Sequence, residues 1–573
     1  MDRLLDNIAQ NLSVHWNVPF DLCRSSLNLP PKPEMGDYAF SAFSVAKLLK
    51  KNPAEIVAEA AMALQEQQDE KRRATADLFV KAAGPYLNLT FAAEILAGEV
   101  LGEIARDPAR YGSSDMGAGR TVVVDYSSPN IAKPFGIGHI RSTVIGGALC
   151  RIYRHLGYRV LGINHHGDWG TQFGILMAAF EEEGDEAALR ADPLGYSYEL
   201  YVRHNKRFEE DDSAKEKARM WFKKLEDQDP EAVRMWSIFR EGSLTEFKRI
   251  YEILDARFEH HMGESFYNDK MEATLTRLRE RGLVVEDEGA LIVDLSAFGM
   301  PPCLLRKSDG ATTYALRDIT AAEYRAREFG FSTMLYVVGT PQKLHFQQVF
   351  KVLELMGHPW AVSLLHVDFG HIVGMSTRKG SLILFEDVLG EARERVLAKM
   401  AESRASGKVE ITDQGEEIAE RVAVGAIIFN DLKNRRTRDV IFNWEHLLNF
   451  DGETGPYLQY TSARISGILR KSGTPVTPDV NFSLLSEPEV KHLILTLGGF
   501  PAQLKKSALE NEPSLISTCL LEVAESFNTF YNRHRVLVED AELKKARLLL
   551  ISCVQAVINN GLKLLGITPQ DRM

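Results

Sequence analysis

The chain has 573 residues, 45% of them hydrophobic and 26% charged, an ordinary globular composition with material for roughly three or four domains. Its formal net charge of −11 disfavours general nucleic-acid binding, so any contact with phosphates has to come from a local basic patch on an acidic body. The five cysteines (Cys23, Cys150, Cys303, Cys519 and Cys553) form no close pair, which argues against a zinc site or a disulfide framework and predicts reduced core thiols in a cytosolic protein.

Residues 1–12, MDRLLDNIAQNL, carry Asp2 and Asp6 and repeat Leu4, Ile8 and Leu12 at helical spacing; they read as a surface helix, not as a targeting signal. No uninterrupted apolar run approaches membrane-spanning length. A turn-rich stretch, LNLPPKPEMGDYAF, is followed by a helical pattern over 53–68, a strand over 77–82 that continues into AGPYLNLTF, and a helix over 92–104. RYGSSDMGAGR then reads as a linker, closing an α+β unit of residues 1–115.

From there the pattern turns α/β. TVVVDY (121–126) is a β-branched run of the kind buried in parallel sheets. Ile140, Val144, Ala148, Leu149, Ile152 and Leu156 share one helical face, closed by Gly157, and YRVLGIN is the next strand. Strand, loop, helix and strand make half of a Rossmann-like sheet; the other half follows as STMLYVVG, KLHFQQVFKVLELMG and VSLLHVDFG. Between the halves, a charged helical stretch over about 181–285 is too long for a loop and reads as an inserted subdomain. From about residue 451 to 573 the pattern is helical.

Four constellations carry chemistry. DYSSPNIAKPFGIGHIRS (125–142) leaves a strand end and opens a helix, where Gly136 and Gly138 permit close backbone approach and Lys133 and His139 add donors for a nucleotide phosphate. NHHGDWGTQFG (164–174) follows the next strand; adjacent His165 and His166 point apart and do not suit one metal, so the loop reads as a ligand-contacting wall with Asp168 and Trp169 at its tip. In KSDGATTYALRD (307–318), Tyr314 and Asp318 share a helix face. In FGHIVGMSTRKGSLILFEDVL (369–389), two glycines bracket a basic loop suited to closing over a triphosphate. The basic run KNRRTR (433–438) on its own reads as a solvated face.

In order and spacing, these segments resemble the arginyl-tRNA synthetases along nearly the whole chain. SSPNIAKP leads into the counterpart of the class I HIGH signature, here Gly136-Ile137-Gly138-His139, and GMSTRKG stands at the KMSKS position. NHHGDWGTQFG matches a family hallmark, while FDGETGPYLQYTSARI (450–465) and the terminal LLGITPQDRM resemble the family's anticodon-binding domain. The resemblance implies a multidomain α/β protein. Residues 1–115 would be an α+β domain touching the tRNA elbow, and 116–447 a Rossmann-like class I catalytic core with its helical insertion. Residues 448–573 would be an all-α anticodon-binding domain.

It also implies an activity, the ATP-dependent formation of arginyl-adenylate and transfer of arginine to the terminal ribose of its tRNA. Lys133 and His139 would be catalytic, with Gly136, Gly138, His139, Met375, Ser376, Arg378 and Lys379 on ATP. Arginine would be held by Asp125, Asn130, Tyr314, Asp318 and Gln342, with Asp318 facing the guanidinium. Arg435, Arg436, Arg438, Tyr457 and Tyr460 would meet tRNA. Magnesium accompanies the phosphates, no structural metal is expected, and the enzyme is expected to be a cytoplasmic monomer without membrane contact. Two departures stand out: Gly136 replaces the first His of HIGH, and Gly374 and Thr377 replace the two Lys of KMSKS, a loss for which Lys133 is expected to compensate. The glycine keeps open a rival reading, a catalytically inactive paralogue that binds tRNA or regulates. A second rival, another HIGH-type nucleotidyltransferase acting on a small acid, has no use for an anticodon reader.

Overall fold

The computed structural model describes residues 1–71, 78–373, 383–405, 415–450 and 452–573. Five parallel strands form its central sheet, in the order Leu364–His366, Thr333–Tyr336, Thr121–Asp125, Arg159–Asn164 and His260–His261. Val122, Val123, Val124, Met334 and Leu335 have no exposed surface, because helices cover both faces of a parallel sheet. The chain leaves Thr121–Asp125 through helix Ile137–His155 and adds Arg159–Asn164 on one side; much later it lays Thr333–Tyr336 on the other. The strand order therefore reverses between Thr121–Asp125 and Thr333–Tyr336, and the crevice beyond their carboxyl ends is where an open α/β sheet binds ligands. Gly146 keeps the helix close to this sheet: a Cβ there would fall 2.3 Å from the ring of Tyr126.

The stretch over 181–285 is mostly helical, as its pattern predicts. Helices Glu186–Ala191, Pro193–Glu210, Asp212–Glu226 and Pro230–Ile253 each begin on an aspartate (Asp185, Asp192, Asp211 and Asp229) whose carboxylate accepts first-turn N–H groups. It is not an insertion alone, however. His260–His261 pairs with Ile163 and Asn164 as the edge strand of the central sheet. Two histidines offer no strand signal, and only the pairing makes them one. A three-stranded antiparallel sheet follows, Val285–Asp287, Ala290–Val293 and Cys303–Arg306.

In the N-terminal part, the turn-rich stretch contributes Leu27–Asn28 and Tyr38–Ser41 to an antiparallel sheet completed by Tyr86–Phe91 and Leu78–Ala83. The glycine-rich segment over 110–120 is docked and does not act as a free linker. Tyr111 is buried, donates its hydroxyl to the Leu497 carbonyl at 3.1 Å and stacks on Phe500. The C-terminal helices Gly455–Ser472, Pro488–Glu510, Ser514–Arg533 and Ala541–Leu565 form a bundle. Among the described residues, Ala541–Leu565 is the one helix long and apolar enough to cross a membrane, and most of it is buried as the bundle's core.

Candidate active site

The loop after Thr121–Asp125 holds two non-glycine residues at positive φ, Ser127 at 58° and Ala132 at 62°, a conformation that persists only when its surroundings impose it. Here they do. The Ser127 amide donates to Ser142 Oγ at 2.9 Å, the Ser127 hydroxyl meets Thr143 Oγ1 at 2.7 Å, and the Ala132 amide donates to Ser243 Oγ at 3.0 Å. The loop is thereby tied to helix Ile137–His155 and to Pro230–Ile253.

Gly136 caps helix Ile137–His155 at φ −83° and ψ 164°, ordinary extended backbone open to any residue. Its amide donates to His139 Nδ1 at 3.1 Å, so the ring's proton sits on Nε2. Burial, with the charge of Lys133 added, pushes His139 down to about 4, leaving it a neutral N–H donor at physiological pH. The Lys133 ammonium lies 5.4 Å from the centre of the Tyr201 ring. Gly138 is exposed, with open space where a side chain would stand. Not every amide at this helix start is free for phosphate: the Ile137 N–H donates to the Ile383 carbonyl at 3.0 Å, and Phe385 N–H donates to the Phe135 carbonyl. These bonds anchor one flank of the basic loop beside the helix, while the other flank, Ile372–Val373, pairs with Val440–Ile441. Met375, Ser376, Arg378 and Lys379 themselves lie outside the described residues.

On the other side of the switch point, Tyr314 opens helix Tyr314–Phe329 and is 66% exposed. One turn on, Asp318 accepts a hydrogen bond from His345 Nε2 at 2.6 Å. Burial alone raises this carboxyl, but His345, with His165 and Arg325 nearby, holds it below its ordinary value. Gln342 is exposed at the start of helix Lys343–Leu355, and Asn130 is exposed where its segment bridges to Gly167. Asp125 is engaged differently from Asp318. Its carboxylate forms a buried ion pair with Arg325 at 2.7 Å, and Arg325 also donates from Nε to the Tyr267 hydroxyl at 3.2 Å.

Three residues here escaped the sequence reading. Glu264 is partly buried, 3.3 Å from Arg317, and is pushed up to about 7 by desolvation, which the neighbouring Asp318 and Asp168 reinforce and Arg317 opposes. It stands in GESFYNDK, which matches no motif. Arg325 and His345 lie on helices Tyr314–Phe329 and Lys343–Leu355, where no motif marks either of them. Asp168, expected at the tip of a ligand wall, is instead a buried hub. It accepts from Arg240 Nε at 2.9 Å and from the Ser265 amide and hydroxyl, each at 2.8 Å, and it pairs with His166. Those donors hold it well below the ordinary carboxylate range in spite of burial. Trp169 packs edge-on against Trp236.

Of the arginines in KNRRTR, Arg436 is tied down by an ion pair with Asp368 at 2.8 Å, whereas Arg435 and Arg438 are exposed. The run is stitched to helix Ile137–His155 through Arg141, which is buried and donates to the carbonyls of Arg438 at 2.9 Å and Arg436 at 3.2 Å. Tyr457 and Tyr460 are half-buried on helix Gly455–Ser472. Asn528 Nδ2 donates to the Tyr457 hydroxyl at 2.6 Å, and the Arg464 guanidinium covers the Tyr460 ring at 4.7 Å.

Comparison with known proteins covers every part of the chain. Residues 104–444 match the family model for tRNA synthetases class I (R), catalytic domain; 458–573 match the DALR anticodon binding domain; 2–91 match the arginyl tRNA synthetase N terminal domain. The chain is 42% identical over 573 residues to an arginine–tRNA ligase of Clostridium botulinum, covering 99% of each. It is 46% identical over 551 residues to arginine–tRNA ligase 1 of Bacillus cereus, covering 96% of this chain and 95% of that one. Its fold matches the arginyl-tRNA synthetase of Thermus thermophilus with a TM-score of 0.81 at 24% identity over the full length of both. The Plasmodium falciparum arginyl-tRNA synthetase matches with a TM-score of 0.79 at 25% identity, covering 100% of this chain and 99% of that one. Because the match runs through all three parts, the chain belongs to the arginyl-tRNA synthetases.

Proposed function

We propose that this chain is an arginine–tRNA ligase. A carboxylate oxygen of arginine attacks the α-phosphorus of ATP, the bond to pyrophosphate breaks, and the resulting arginyl-adenylate passes its arginyl group to the terminal ribose of tRNA. The observation that carries the reading is the pair of acceptors Asp318 and Glu264, carboxylates partly withdrawn from water, as a planar and permanently charged guanidinium requires.

In this reading Asp318 and Glu264, with Tyr314 beside them, take the guanidinium. Gln342 adds a further contact to arginine, and Asn130 holds the α-amino end. Asp125 acts at one remove, by fixing Arg325. His139 donates its Nε2–H, and Lys133 lends its charge, as negative charge builds on the α-phosphate. Gly136 and Gly138 let the nucleotide approach, and Met375, Ser376, Arg378 and Lys379 belong to a loop that meets the triphosphate. Magnesium travels with the nucleotide's own phosphates. Arg435 and Arg438 contact the tRNA backbone, Arg436 holds their loop, and Tyr457 and Tyr460 meet anticodon bases. We take residues 1–115, 116–447 and 448–573 as the tRNA-elbow, catalytic and anticodon-binding domains of a cytoplasmic monomer.

The test is aminoacylation of total tRNA with each of the twenty amino acids in turn. Arginine alone should be esterified. Charging with another amino acid would overturn the specificity, and charging with none would favour the inactive, tRNA-binding paralogue.

A further inference from the structure

From the contact between Asp318 and His345 we infer that His345 is a positioning residue for arginine selection, holding the Asp318 carboxylate by one oxygen so that its remaining lone pairs face the incoming guanidinium. The inference rests on the reading of Asp318 as the guanidinium partner.

The geometry is specific. His345 Nε2 lies 2.6 Å from Asp318 Oδ2, the short distance of a hydrogen bond to an ionised acceptor. Among the described residues, no other hydrogen bond reaches Asp318, so Oδ1 and the second lone pair of Oδ2 are unused. A carboxylate offers about four lone-pair sites and accepts a bidentate guanidinium on two of them, so His345 and substrate can share it. His345 stands in the first turn of helix Lys343–Leu355, which begins directly after Gln342. One helix start thus supplies a substrate contact and the brace for the opposing acid.

A brace matters because a carboxylate that is free to rotate about its terminal torsion presents its oxygens in many directions. Binding groups that discriminate by planar, bidentate geometry have to be held by their own supporting hydrogen bonds. The groups facing this carboxylate agree with such a role. His345 touches it and Arg325 adds positive charge from the same helix, so the acid is ready in its ionised form before substrate arrives.

An opposite role has the same contact. If His345 merely occupied Asp318 until arginine displaced it, removing the histidine would tighten arginine binding. The sign of the effect decides.

The experiment compares His345→Ala, His345→Leu, His345→Gln, Asp318→Asn and the double variant His345→Ala/Asp318→Asn in the full chain. Arginine and ATP KM values are measured by aminoacylation at saturating tRNA. Loss of one charge-assisted hydrogen bond should raise the arginine KM between about tenfold and a hundredfold in the Ala and Leu variants, with the ATP KM nearly unchanged. His345→Gln, whose amide nitrogen reaches where Nε2 was, should recover most of the loss. The double variant should be no worse than Asp318→Asn alone, because His345 acts through that carboxylate. His345 is 23% exposed, so its truncation opens no core cavity, and the Leu variant preserves packing should Ala disturb it. An unchanged or lowered arginine KM in the Ala and Leu variants, or multiplicative losses in the double variant, would refute the inference while sparing Asp318. An arginine KM untouched by Asp318→Asn would remove the underlying reading, and the inference with it.

Discussion

Asp125→Asn separates two roles that one carboxylate cannot fill equally. The family resemblance points Asp125 at substrate arginine, whereas in the fold its Oδ2 lies 2.7 Å from Arg325 Nη1, with only 5% and 1% of the two side chains exposed. The Arg325 guanidinium has one further hydrogen bond, from Nε to the Tyr267 hydroxyl, and its Nη2 has no acceptor among the described residues. Asparagine keeps the shape and removes the charge, stranding a buried cation. Breaking such a pair on one side costs about 3–5 kcal/mol, or roughly two to four decades in the unfolding equilibrium. Replacing both partners, as Asp125→Asn with Arg325→Met, should return much of that loss, because an apolar substitute leaves no stranded charge. Urea unfolding followed by tryptophan fluorescence reads the midpoint, and aminoacylation of the folded fraction reads the arginine KM. The single variant should shift the midpoint strongly, and the double variant much less. An unshifted midpoint together with a hundredfold rise in arginine KM would refute the argument, since the carboxylate would then serve substrate directly.

Lys133→Ala and His139→Ala should each lower turnover by about a hundredfold or more with a smaller change in ATP KM, since these donors strengthen their hold as charge builds in the transition state; near-normal charging by both would mean the phosphate site lies elsewhere. Gly136→His should fold and charge tRNA, because φ −83° suits any residue, and an unfolded product would give the glycine a structural duty. Glu264 sits at about 7 in the free protein, above its ordinary value, so it is increasingly protonated below that pH and accepts a guanidinium poorly there. Arginine affinity by calorimetry should therefore rise between about pH 6 and pH 8, with Glu264→Gln flattening the profile; a pH-independent affinity would contradict this. The same shift makes Glu264 disfavour the free fold increasingly as pH climbs from about 4.5 toward 7, because the raised value favours the protonated acid. Arg435→Ala with Arg438→Ala should reduce the salt slope of tRNA binding by roughly one unit per lost phosphate contact, and an unchanged slope would return the run to a solvated face.

Local periodicity was enough for the pieces that depend on neighbouring residues. The β-branched run over 121–126, the apolar face of the helix after Gly136, and the shared face of Tyr314 and Asp318 are all visible in the sequence, and all stand in the fold as read. These features need only a fixed rise and turn per residue, which the chain carries everywhere. Family motifs then supplied what periodicity cannot, naming a phosphate end and an amino-acid end on segments far apart.

What the tertiary structure decided is who partners whom. His260–His261 becomes a strand only because Ile163 and Asn164 offer it an edge. Asp168, read as a ligand wall, is consumed by its motif neighbour His166 and by Arg240 and Ser265, which the sequence does not connect to it. Asp125 and Asp318 look alike on the page, yet one closes on a buried arginine and the other on a half-buried histidine. Composition and spacing pointed to a Rossmann-like crevice, and the family resemblance put acids at its rim. Which acids stay open to a guanidinium depends on the desolvation and close approach of charges from distant segments, energies that exist only once those segments have packed together.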